Sequence, residues 1–287
     1  MSYTASTYNG FLQDEIALRR DSVRLTVGTK FERNPFSGIE IQPTVRLLWA
    51  PAQHHSAWAA VSRAVRVPSR NERDQDELDS IAENEDGVVE YEQLVASPLF
   101  NPERLTSYEA GYRFVPTNRL SLDVASFYNV YNDLQTIEAQ ERFFTTAPIA
   151  GLKTPLVDAN LARGRVAGAE VTAFWTVSDT LQVSGNYTRL HMRLRAHPES
   201  NDEDARASED KNAKNLFYVR AYADLPRRVD LTMEMRYVGA IPGEGVPGYA
   251  EANIHIARPL RDGLRLSLTV DNLFHPRHTE WAPSVTA

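Results

Sequence analysis

In the segment LRLSLTV, Leu264, Leu266, Leu268 and Val270 alternate with Arg265, Ser267 and Thr269. This period of two turns apolar side chains to one face of a strand and polar ones to the other. The preceding YAEANIHIA alternates in the same way, Ala250, Ala252, Ile254 and Ile256 against Glu251, Asn253, His255 and Ala257. Arg261-Asp262-Gly263 joins the two arms, and its Asp-Gly supplies the positive φ that a tight hairpin needs. The unit is an amphipathic hairpin.

The same test finds about six such hairpins along the chain. FLQDEIALR leads into VRLTVGTKFER, with Val23, Leu25, Val27 and Phe31 in phase; in the first arm Asp14 falls in phase with Leu12, Ile16 and Leu18. IEIQPTVRLLW carries Ile39, Ile41, Val45, Leu47 and Trp49 on one face, whereas the phase of SAWAAVSRAVRV is ambiguous. Tyr108, Ala110, Tyr112 and Phe114 precede a turn into Leu120, Leu122, Val124, Tyr128 and Val130. VAGAEVTAFWTV sets Ala169, Val171, Ala173 and Trp175 in phase before LQVSGNYTRLHMRL. LFYVRAYADL and VDLTMEMRYV form the next pair, with Phe217, Val219 and Ala221 facing Val229, Leu231, Met233, Met235 and Tyr237.

The connections alternate strictly between short and long in this reading. Short turns fall near 20–22, 51–55, 116–118, 178–180, 226–228 and 261–263, while Pro68 to Glu103, Asn132 to Leu161 and Ala196 to Ala213 are long and polar. Short turns on one rim and long loops on the other mark a membrane barrel, whereas a soluble sandwich has crossovers with no such rule. Strands of about eleven residues suffice to cross an apolar band of roughly 25 Å when tilted. Aromatics agree: Trp49, Phe114 and Trp175 sit beside short turns, and Phe31, Tyr128 and Tyr237 beside long loops, forming two interfacial girdles. The fold expected is an all-β, antiparallel up-and-down transmembrane β-barrel, here a partial barrel of about twelve strands.

Composition excludes some alternatives. No apolar run reaches the eighteen or so residues of a membrane helix, which leaves strand spans open. The absence of cysteine excludes disulfides and thiol chemistry, and a net charge of −7 argues against nucleic acid as a partner. The opening MSYTASTYNG has neither the basic nor the apolar region of a signal peptide, so the chain is expected either to be cytoplasmic or to lack a front part.

Several segments resemble the TonB-dependent outer-membrane receptors, plugged barrels that import scarce nutrients. They are NGFLQDEIAL with VRLTVGTKFERN, WAAVSRAVRVPSRNE, NPERLTSYEAGYRF with its S-Y-E-x-G run, VAGAEVTAFW with G-x-E, and the closing YAEANIHIA and LTVDNLF. Their order and spacing span nearly the whole chain. The resemblance implies that residues 1–287 are the C-terminal part of a barrel of about 22 strands, without the plug domain and the final strand. It further implies the outer membrane of a Gram-negative bacterium as location, and energy-coupled uptake of a ferric siderophore or cobalamin. Outer-membrane lipid, lipopolysaccharide and, through the missing plug, the TonB complex are the implied partners. A plugless porin or adhesin barrel and a soluble β-rich binding protein are the other classes that share the alternation.

Candidate chemistry is sparse. Arg193, Arg195, His197, Lys211 and Lys214 flank a long loop and could meet an anionic siderophore, although cations at such a rim can equally answer lipopolysaccharide phosphates. The acidic run from Glu72 to Glu92 fails the EF-hand spacing and reads as a solvated loop. In HPRHTE, His275, His278 and Glu280 could chelate a metal, but Pro276 spoils a helical presentation and no metal is expected. No nucleophile elbow, phosphate loop or zinc motif occurs, so no cofactor and no catalytic residue is expected.

Overall fold

The computed structural model describes residues 6–20, 22–97, 100–203, 208–274 and 279–280. In chain order the elements are β1 (Tyr8–Arg19), β2 (Val23–Asn34), β3 (Gly38–Ala52), β4 (His55–Arg66), helix α1 (Arg70–Asp74), β5 (Asp76–Glu83), β6 (Val89–Val95), β7 (Glu103–Thr117), β8 (Leu120–Ala139) and β9 (Phe143–Thr145). There follow β10 (Gly151–Ser178), β11 (Leu181–Ala196), β12 (Asn215–Leu225), β13 (Val229–Val238), β14 (Tyr249–Arg261) and β15 (Leu264–Val270). Twelve of these strands form one path, β1-β2-β3-β4-β7-β8-β10-β11-β12-β13-β14-β15, in which each is antiparallel to the next. The twelve strands expected from the alternation are therefore present as an up-and-down sheet, with β1 and β15 at its two ends.

Register carries the apolar phase across every seam. Val27 pairs with Val45, Leu47 with Ala59, Val61 with Tyr108, Tyr112 with Val124, and Val124 with Val171. Beyond these, Val171 pairs with Tyr187, Tyr187 with Phe217, Phe217 with Tyr237, Met233 with Ile254, and Ile256 with Leu268. A slip of one residue at any seam would have put one strand's apolar set on the opposite face. The register also settles the ambiguous arm: Ala57, Ala59 and Val61 join the apolar face, and Trp58, Ala60 and Ser62 the polar one. In β1, Asp14 pairs with Val27 and so lies on the apolar face of an end strand that is exposed throughout.

Nothing covers the apolar face among the described residues. Trp49, Trp175, Met233 and Leu268 expose 52%, 52%, 47% and 60% of their surface, the reverse of a soluble sandwich, which buries such residues between two sheets. The small fully enclosed core lies instead beneath the long loops, around Tyr91, Phe100 and Leu156. Among the described residues no helix is long and apolar enough to cross a membrane.

Three details of the rims depart from expectation. Short and long connections do not alternate strictly, because β2 and β3 on the long-loop rim are joined by only Pro35, Phe36 and Ser37, with Gly38 at φ +79° absorbing the reversal. The segment from Asn132 to Leu161 is mostly strand: β8 and β10 continue outward, 20 and 28 residues long, well past the 9–11 a membrane requires. The acidic run folds as α1 and the β5–β6 hairpin, and β6 adds to β10 in parallel, from Glu90–Leu152 to Leu94–Leu156. Pairing strands satisfies backbone groups that a loose loop would leave to water.

Candidate functional site

The polar face of the sheet carries charges already neutralised across strands. Arg113 meets Asp123 at 3.2 Å, Arg220 meets Glu234 at 3.4 Å, Arg236 meets Glu251 at 2.6 Å and Arg265 meets Asp230 at 2.6 Å. Each exposed pair contributes little stability, but together they make a hydrophilic wall without strong net charge. Two glycines on this face are covered by aromatic rings from the neighbouring strand. Gly111 lies opposite Trp58, and a Cβ there would collide with the indole; Gly168 stands in the same relation to Phe127. Arg46 completes the first group, its guanidinium 5.2 Å from the Trp58 ring centroid.

At the outer end of that face a hydrogen-bonded network fixes the first long loop. Arg66, on the last turn-ward residue of β4, donates from Nε to Glu103 Oε2 at 2.7 Å, from Nη1 to Glu72 Oε1 at 2.8 Å and from Nη2 to Gln135 Oε1 at 2.8 Å. Gln135 Nε2 donates onward to Asp158 Oδ1 at 2.6 Å, and Gln75 Nε2 donates to Asp158 Oδ2 at 2.7 Å. Asp158 and Gln75 are buried, so both carboxylate oxygens need these donors. α1 begins with a capping box in which Glu72 N donates to Ser69 Oγ and Ser69 N to Glu72 Oε2. Burial pushes the Glu72 carboxyl up, but the bonds from Ser69 and Arg66 outweigh it and hold the group below its ordinary value of 4.5. Arg73 donates to the carbonyls of Phe36 and Phe100, tying the loop to the β2–β3 turn.

The loop after β11 is fastened to β8. Glu138 accepts from Ser200 Oγ and from Asn201 N, each at 2.7 Å, and Asp202 Oδ2 accepts from Ile137 N at 2.9 Å. The five cations singled out from the sequence separate here. Arg193 and Arg195 stand on β11, cross-strand from Arg165 and Arg163 of β10. They share the face of Val171, Tyr187 and Trp175, which is the apolar one. The backbone of His197 donates to Leu161 O, Lys214 pairs with Asp210 at 2.9 Å, and Lys211 directly follows the 3-10 turn Ser208–Asp210, its backbone near Gly243 of the β13–β14 connection. Arg193 and Arg195 thus belong to the wall of the sheet, and His197, Lys211 and Lys214 to the connection that follows, which is held along β11 by Glu209 accepting from Leu194 N and Lys214 O from Leu190 N. Arg163 and Arg165, which the sequence reading passed over, were legible as members of the phase Arg163, Arg165, Ala167, Ala169, Val171.

No group of three or more metal-ligating side chains occurs among the described residues; His275 and His278 lie outside them. What the arrangement offers chemically is a polar face with hydrogen-bonded loops at one rim, and an apolar face that carries aromatic rings toward both strand ends.

Residues 1–273 match the family model described as TonB dependent receptor-like, beta-barrel. The chain belongs to this family. Among solved structures it resembles the siderophore receptor PirA from Acinetobacter baumannii (TM-score 0.72, 15% identity, 93% of this chain and 41% of that one) and the ferric enterobactin receptor PfeA from Pseudomonas aeruginosa (TM-score 0.71, 18% identity, 94% and 40%). In sequence it is 23% identical over 183 residues to the iron-regulated outer membrane virulence protein of Vibrio cholerae, spanning 63% of this chain and 27% of that protein. The chain thus spans about a quarter of the curated relative and about two fifths of these solved receptors. The expected recognition, a TonB-dependent receptor barrel, is met by the family match, and the antiparallel barrel fold by the same family and sheet. Members of this family are receptors and transporters rather than enzymes.

Proposed function

We propose that this chain is the C-terminal part of the barrel of a Gram-negative outer-membrane receptor that takes up a ferric siderophore with energy relayed through a plug and TonB. The observation that carries the reading is the uncovered apolar face, continuous in register over twelve strands and backed by a face of paired charges. An open sheet edge in lipid leaves backbone groups unsatisfied at several kcal/mol each, so the twelve strands complete their pairing with further barrel strands. The similar proteins named above, two siderophore receptors and an iron-regulated outer membrane protein, favour iron over cobalamin as cargo.

The test is uptake of radio-iron as ferric enterobactin, and as a panel of other ferric siderophores, by iron-starved cells. The cells carry either the complete receptor, the 287-residue product alone, or the complete receptor with residues 197–214 deleted. The complete receptor takes up at least one of them, the 287-residue product none, and the deletion lowers uptake at least tenfold. Uptake by the 287-residue product alone would refute the mechanism.

A further inference from the structure

The apolar face of β10 and β11 changes chemistry abruptly toward the long-loop rim. Along this seam Trp175 pairs with Val183, Ala173 with Gly185 and Val171 with Tyr187. The next pairs on the same face are Ala169 with Arg189, Ala167 with His191, Arg165 with Arg193, and Arg163 with Arg195. All five arginines and His191 are exposed. On the opposite face the pattern inverts too, Val166 pairing with Met192 and Gly164 with Leu194.

The height of the switch matches the girdle. Phe31, Tyr128 and Tyr237 each lie eight positions beyond the first residue of β2, β8 and β13 (Val23, Leu120 and Val229), and Arg189 lies eight beyond Leu181 of β11. Arg193 and Arg195 stand four and six positions further out, roughly 10–15 Å along the membrane normal for tilted strands. They are placed where the apolar part of the membrane has ended and headgroups begin.

Among the described residues this patch has no paired counter-charge: the Glu209 carboxylate accepts from Leu194 N, between Arg193 and Arg195, but forms an ion pair with none of the arginines. Like charges directly opposite in a strand pair destabilise it, and here two arginine pairs are stacked. Among the described residues no carboxylate forms an ion pair with Arg163, Arg165, Arg189, Arg193 or Arg195. Arg193 Nε meets His191 Nε2 at 3.2 Å. Elsewhere at the rim Arg66, Arg104 and Lys214 each have an acidic partner. Arg163, Arg165, Arg193, Arg195 and Val130 line a depression of about 230 Å³. A cargo inside the barrel meets the other face.

We propose that Arg163, Arg165, Arg193 and Arg195 form an outward-facing site for the phosphate groups of an outer-leaflet lipid, the phosphorylated sugars of lipopolysaccharide. Planar guanidinium forks match phosphate oxygens bidentately, and a phosphate between two arginine rungs converts their repulsion into attraction. The site rests on the reading that the apolar face meets lipid.

The experiment compares the complete receptor with a variant carrying R163Q, R165Q, R193Q and R195Q, and with a control carrying R24Q and R46Q on the polar face. Outer-membrane insertion and heat-modifiable migration report the barrel; lipopolysaccharide retained after detergent exchange, and binding to vesicles of phosphatidylcholine with intact or dephosphorylated lipopolysaccharide, report the site. The expected result is at least tenfold lower retention for the quadruple variant with insertion intact, unchanged retention for the control, and loss of wild-type binding when the phosphates are removed. Millimolar inorganic phosphate leaves vesicle binding in place. Equal retention by the quadruple variant, indifference to dephosphorylation, or displacement by free phosphate would each overturn the proposal. Should the quadruple variant fail to insert, the paired variants R163Q with R195Q and R165Q with R193Q decide by the same criteria, and an R-to-K set at the four positions retains an intermediate amount. A wild-type receptor absent from the outer membrane would instead sink the proposed function itself.

Discussion

Arg66 grips Glu103 with both arms of its guanidinium, Nε to Oε2 at 2.7 Å and Nη2 to Oε1 at 3.3 Å, and so joins the two strands between which residues 67–102 leave and re-enter the sheet. Replacing Arg66 by Ala is expected to cost roughly 1–2 kcal/mol, because the charge-assisted bonds are partly screened at a half-exposed guanidinium. Lys at 66 keeps the charge and loses the fork, so it recovers less than half. A double-mutant cycle with E103A, read by urea titration in liposomes, should give a coupling of about 1 kcal/mol. Additive losses would show that the pair acts through unrelated contacts.

Acid should loosen the same loop. The Glu72 carboxyl has its folded value below the ordinary 4.5, so its contribution is complete above about pH 4.5 and is lost as pH falls through the folded value. Amide exchange in α1, divided by its intrinsic rate at each pH, is expected to accelerate over that window in the wild type. In E72Q the acceleration over that window disappears, and exchange is already fast at neutral pH. A pH-independent wild type would contradict the assignment.

The two faces of β13 should answer differently to charge. Met233 is on the apolar face and Thr232 beside it on the polar face, opposite His255. Arg at 233 is expected to cost on the order of 2–4 kcal/mol near the membrane midplane, and Arg at 232 little. Urea titration of both variants of the complete receptor in liposomes measures the difference, and equal costs would defeat the lipid-facing assignment.

Packing on the polar face predicts a specific clash. In G111A the new methyl must displace the Trp58 indole, with a cost of roughly 1–3 kcal/mol. In a W58A background the same change should cost a few tenths of a kcal/mol, since the obstructing ring is gone. The stability difference between the two backgrounds is the measured quantity, and an equal cost in both would show that the indole does not set the limit.

Orientation can be read on whole cells. Protease added outside is expected to cut the β5–β6 turn, residues 84–88, and to spare Asp262-Gly263 on the opposite rim. Mass mapping of the fragments distinguishes this from the inverted topology, in which only the second site is cut.

The strands, their apolar phase and the two rims were set by the sequence alone, because a period of two is a local property: Leu264 to Val270 can present one apolar face whatever surrounds it. Asp262-Gly263 and the aromatic positions Trp49, Phe31 and Tyr237 were legible for the same reason. Tertiary structure decided what depends on a partner strand. Alternating Ala and Trp in SAWAAVSRAVRV fit either face until pairing with Val45 and Tyr108 fixed Val61 outward. The acidic run from Glu72 to Glu92 is solvated as its composition suggests, but it reads as a loop because the groups that order it, Arg66 nearby and the β10 backbone far along the chain, are not encoded in its own composition. Arg193 and Arg195 were visible as cations near a rim, but which side of the wall they occupy follows only from their register with Arg165 and Arg163. That register turns five scattered arginines into one patch, since electrostatics depends on distance in space and the sequence orders residues only along the chain.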